Sequence, residues 1–151
     1  MRFVDTILNH FKRKRRNDPV FGSMLYMGDH LKYWEGNATF PPTGSIIEVF
    51  DDGLSEDDLK QQHRFFQELT QNWPSVREKI EKILLINWRR QESKTPVGFF
   101  WEQFKLSSLT IPRAPLEAAE WEISFVNPSD PGHIWTVQMK GPQPKGVNID
   151  G

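Results

Sequence analysis

The sequence predicts an α+β fold: a mainly antiparallel, twisted sheet of about five or six strands, a helical pair from 56 to 91 packed on one face, and a short N-terminal helix. Three observations predict it. Helical periodicity marks the beginning and the middle of the chain, whereas the stretches on either side of the middle are short aromatic and β-branched runs broken by Gly, Pro, Asn and Asp. The order is helix, strands, two helices, strands, which suits an antiparallel sheet with helices on one face better than alternating βαβ units. The content of 6 Trp and 11 Phe supplies enough apolar surface for one packed core in 151 residues.

At the N-terminus, Phe3, Ile7, Leu8 and Phe11 follow helical spacing and precede Lys12, Arg13, Lys14, Arg15 and Arg16, cations suited to a helix C-terminus. Residues 1–17 therefore read as an amphipathic basic helix closed by Asp18-Pro19, and 18–151 as a single α+β domain. Val20 to Tyr26 and Leu31 to Glu35, separated by Met27-Gly28-Asp29-His30, read as a hairpin. The loop Phe40-Pro41-Pro42-Thr43-Gly44 then leads into Ile46 to Phe50, a β-branched third strand that ends at Asp51-Asp52-Gly53.

Ser55 followed by Asp58 is a helix start of the capping type, with Leu59, Phe65, Phe66 and Leu69 forming an apolar face through Asn72. Ser75 with Glu78, after Pro74, forms a stronger capping box, and Val76, Ile80, Ile83, Leu84 and Trp88 mark a second buried face to about Gln91. Asn72-Trp73-Pro74 thus reads as the link of a helical pair. Beyond Pro96 the strand pattern returns at Phe104 to Ile111, Trp121 to Phe125 and Ile134 to Met139, the last two joined by the turn Asn127-Pro128-Ser129-Asp130-Pro131-Gly132.

Composition narrows the chemistry. Nineteen Lys and Arg against twenty Asp and Glu leave a net charge of -1, so no global field draws the chain to nucleic acid or anionic lipid. The absence of Cys excludes disulfides, thiolate metal sites, iron–sulfur clusters and a cysteine nucleophile. No secretory signal pattern or membrane-length apolar run is seen, and the expected location is cytoplasmic with no membrane partner.

Histidines at 10, 30, 63 and 133 form no His-x-x-x-His pair, and the acidic run at Asp51, Asp52, Glu56, Asp57 and Asp58 lacks the spacing of a calcium loop, so no metal site is expected. Ser107, Ser108 and Ser124 lie in no nucleophile motif, no Gly-rich phosphate loop occurs, and neither catalytic residues nor a cofactor is expected. The feature that points to binding is Phe99-Phe100-Trp101, beside Gly98 and after Pro96, a dense aromatic run that alternation cannot send wholly into one core. Two other readings have their own residues. A hydrolase-like enzyme would pair His133 with Asp130 or Glu122 as general acid and base, and a nucleic-acid binder would use Lys12, Arg13, Lys14, Arg15 and Arg16.

Asp18-Pro19-Val20-Phe21-Gly22 with Tyr33-Trp34-Glu35-Gly36, then Ile47 to Phe50, and finally Trp121 to Phe125 with His133 and the ending Val147 to Gly151, together resemble uncharacterised bacterial domain families of the kind found among immunity proteins of polymorphic-toxin systems. The resemblance implies a non-catalytic protein-binding domain, an immunity-type inhibitor that neutralises a cognate bacterial toxin by covering it. It carries no catalytic residue, and the N-terminal basic segment lies outside it.

Overall fold

The computed structural model describes residues 14–91 and 99–151. Eight strands, β1 (Arg15–Asp18), β2 (Gly22–Tyr26), β3 (Trp34–Phe40), β4 (Ser45–Asp51), β5 (Lys105–Ile111), β6 (Glu120–Val126), β7 (Ile134–Lys140) and β8 (Gln143–Asp150), form one sheet in sequence order. Every neighbouring pair is antiparallel except β4 and β5, which run parallel because the helix α1 (Glu56–Arg90) intervenes and returns the chain in the same direction. A short helix α2 (Phe100–Gln103) precedes β5, and a 3-10 turn, Leu116–Ala118, precedes β6.

Alternation decides which face is covered. Met24, Phe40, Ile47, Val49, Leu109, Ile123, Phe125, Trp135 and Val137 point toward α1 and are buried against Phe65, Leu69, Trp73, Val76, Ile80, Leu84 and Trp88. The opposite face carries polar side chains in register: Asn37, Glu48, Ser108, Ser124, Thr136 and Asn148 form one row across six strands, with Ser124 and Thr136 hydroxyls bonded at 2.8 Å.

The expected helical pair is instead one continuous helix. Ser55 is its cap: the Ser55 hydroxyl accepts from the Asp58 N–H, and the Asp58 carboxylate accepts from the Ser55 N–H, a reciprocal capping box. Ser75, expected to start a second helix, sits in the interior beside Pro74. Proline removes one backbone donor at a cost of about 3 kcal/mol. The buried stripe nevertheless runs in phase through it, Leu69, Trp73, Val76, Ile80, so both halves dock on the same sheet and burial of Trp73, Val76, Ile80, Leu84 and Trp88 outweighs the lost bond.

The sheet also exceeds the expected five or six strands, gaining β1 and β8 at its two edges. The N-terminal helix is not matched either. Residues 1–13 lie outside the described residues, and Arg15 to Asp18, expected at the helix end and the domain boundary, are strand β1 paired with β2. At the β7–β8 turn Gly141 adopts φ 56° with its carbonyl accepting from the Trp121 indole at 2.8 Å, and a Cβ there would sit 2.7 Å from the Glu117 carbonyl oxygen. No helix among the described residues is long and apolar enough to cross a membrane.

Candidate functional site

Polar side chains gather where β1 and the end of β4 meet the first turns of α1. Arg16 points inward, donating to Asp51 Oδ2 at 2.6 Å and to the Gly53 carbonyl at 2.9 Å, with its guanidinium 4.4 Å from the Trp34 ring centroid. Burial pushes the Asp51 carboxyl above its ordinary pKa, although the bond to Arg16 and its charge oppose this. Close by, Asp18 accepts the N–H groups of Val20 and Phe21 at 2.8 and 2.9 Å and takes the His63 Nε2 at 2.9 and 2.8 Å on its two oxygens. Burial works to raise the Asp18 pKa, but these donors outweigh it and hold the carboxyl below its ordinary value. The four side chains make their hydrogen bonds with one another and with nearby backbone. They brace the first strand to β4 and α1.

Beside them a cleft of about 530 Å³ is lined by Tyr33, Phe50, Asp51, Asp52, Thr110 and Glu120 together with Arg113. Arg113 is committed to Asp52 at 3.2 Å and Asp58 at 3.6 Å. Tyr33 donates to Glu35 at 3.0 Å, a bond that raises the phenol pKa. The remaining balance of the cleft is acidic.

Of the residues considered for acid–base chemistry, His133 and Asp130 do meet. His133 Nδ1 lies 2.7 Å from Asp130 Oδ1, and the other Asp130 oxygen accepts from the Trp135 indole at 3.0 Å. Glu122 stands apart on the polar face of β6, opposite Gln138, its backbone bonded to the Thr110 hydroxyl. Among the described residues the His133 ring bonds to no side chain but Asp130, so an oriented imidazole is present without a nucleophile attached to it. No group of three or more His, Asp or Glu converges to hold a metal among the described residues.

The described part of the basic run is divided among different surroundings. Lys12 and Arg13 lie outside the described residues, Lys14 sits 5.8 Å above the Tyr26 ring, Arg15 is exposed on β1, and Arg16 is turned into the fold.

The aromatic run is split three ways by α2. Phe100 is buried, stacked on Phe104 at 4.7 Å, and Phe99 is 76% exposed. Trp101 is half-buried, with Phe100, Phe125 and Trp73 rings within 4.6, 5.9 and 6.3 Å of its own. The Arg77 guanidinium lies 4.9 Å over the Trp101 ring, and Arg77 has no carboxylate partner among the described residues. Thr43, Ser45, Trp73, Arg77, Trp101 and Lys105 line a pocket of about 280 Å³ here. The Trp101 indole N–H is buried without a hydrogen-bond partner. Among the described residues Lys105 reaches only the Trp101 carbonyl, at 3.5 Å.

Sequence reasoning missed Arg77 and Trp73 as members of this pocket, the first because an isolated helical Arg carries no pattern, the second because it was placed in a link. Comparison with protein-family models, curated proteins and solved structures finds no match to this chain.

Proposed function

We propose that the protein is a non-catalytic protein-binding domain that engages its partner through Phe99 and the Arg77–Trp101 pocket behind it. The observation that carries this reading is an arginine over a tryptophan ring with no carboxylate partner among the described residues, next to an exposed phenylalanine. Arg and Trp dominate the few residues that supply most interface energy, and a ring left 76% exposed gains apolar burial on contact. Elsewhere the charged clusters are bonded internally, which supports binding over turnover. An immunity-type inhibitor of a bacterial toxin would use such a surface by covering its target, with the rigid sheet behind α2 holding the anchors in place.

Phe99 is the residue to change, since it contributes little to the core. The immobilised wild-type protein and Phe99→Ser would be compared for capture from the source cell and for affinity toward the recovered partner. The expected result is a loss of roughly 30-fold in affinity, about 2 kcal/mol, with an unchanged melting temperature. Equal capture by both proteins would overturn the reading.

A further inference from the structure

We infer that the pocket between α1 and α2 binds a carboxylate carried on an apolar body, so that the partner presents an acidic side chain there; only the identity of the carrier rests on the protein-binding reading above.

The walls and the rim differ in chemistry. Trp73, Trp101, Phe104 and Leu106 make the walls apolar, while Arg77 and Lys105 place two cations at the opening. Among the described residues no Asp or Glu lines it, in contrast to the cleft beside Arg16, where Asp51, Asp52 and Glu120 face a single paired Arg113. The Arg77 guanidinium carbon lies 4.9 Å over the Trp101 ring, and no hydrogen bond engages its N–H groups among the described residues. Its N–H donors lie in the plane, and their edge matches the two oxygens of a carboxylate. The Thr43 and Ser45 hydroxyls also line the pocket, but they bond to each other at 2.6 Å and Thr43 donates to the Phe40 carbonyl at 3.4 Å, which leaves the two cations as its free donors. A dianion is less well served. Arg77 lies in the interior of α1, far from its N-terminus, so no long-helix N-terminus points into the pocket, and two exposed cations over apolar walls suit a single negative charge on a hydrocarbon group.

The probes are benzoate, its uncharged counterpart benzamide, and phenyl phosphate, titrated into the isotopically labelled full chain while the tryptophan indole N–H resonances are followed. Trp101→Phe assigns the Trp101 signal. Benzoate should shift it saturably, benzamide should bind at least about tenfold more weakly, and Arg77→Gln should weaken benzoate by about tenfold. Lys82→Gln, which removes a cation paired with Glu78 on the same helix, should leave benzoate binding unchanged. Equal binding of benzamide, tighter binding of phenyl phosphate, or indifference to Arg77→Gln would each overturn the inference. Benzoate binding with capture unaffected by Phe99→Ser would remove the protein-binding reading and keep the site. Capture lost in Phe99→Ser with no benzoate binding would remove the site and keep the reading.

Discussion

Arg16 over Trp34 and Arg77 over Trp101 are the same pair in two settings. The guanidinium lies 4.4 Å from the ring centroid in one and 4.9 Å in the other, and in both the indole N–H is buried without a partner. At Arg16 the donors continue into Asp51 and the Gly53 carbonyl, so the stack closes a structural brace. Arg77 lines a pocket and finds no acceptor among the described residues. An aromatic–arginine stack is therefore not in itself a sign of function; what separates brace from site is whether the donors find acceptors within the chain.

The sharpest test of that distinction is Arg16→Ala, which leaves Asp51 buried with no counter-charge. A loss of about 3 kcal/mol in urea unfolding at pH 7 is expected, the scale for removing one partner of a buried ion pair. A loss under about 1 kcal/mol would place the two arginines in the same class.

A smaller effect divides the two buried carboxylates within the brace. The Asp18 carboxyl lies below the ordinary value of 3.8, so its contribution to stability is complete above that pH and is lost as pH falls through the lower folded value. Asp51 is shifted upward from 3.8, so the folded chain holds that proton more tightly; its contribution is complete below 3.8 and declines as pH rises through the elevated value. Unfolding midpoints measured from acid to neutral pH should show a shallower acid-side fall in Asp18→Asn and should lose the decline on the other side in Asp51→Asn. Parallel pH profiles for the two variants would contradict this assignment.

The smallest expected effect is that of Arg77→Ala, under about 1 kcal/mol, since only an exposed stack is lost. An Arg77 variant as unstable as the Arg16 variant would break the comparison. Trp101→Ala is less suitable as a probe of binding, because Trp101 packs against Trp73, Phe100 and Phe125 and its truncation disturbs the core as well as the surface.

Much of the inner sheet was legible in the sequence because one covered face imposes a period of two. Trp121, Ile123 and Phe125 all face α1 in alternation, as do Trp135, Val137 and Met139 in β7. The edges carried weaker signals. β8 contains Pro144 and Gly146 among polar residues, and β1 is four residues whose charges read as a helix end. Pro74 was misleading because a helix stop and a tolerated interior proline look alike in sequence; the packing of Trp73 and Val76 on one sheet decides between them. At the sites, Phe99 to Trp101 and the local pair Asp130–His133 could be named from neighbouring residues, but Arg16–Asp51, Asp18–His63 and Arg77–Trp101 join residues far apart in the chain and leave no short-range trace.

The parallel junction of β4 with β5 also governs the order of assembly. Every other pairing joins strands consecutive in sequence and can close as a local hairpin or short return. Glu48 meets Ser108 only after the whole of α1 has been traversed, so this contact carries the largest loop entropy in the sheet and is expected to limit the folding rate. Shortening the side chain of Val49 or Leu109, partners at that seam, should slow refolding, whereas a comparable truncation in the outer hairpin of β7 and β8 should act mainly by hastening unfolding.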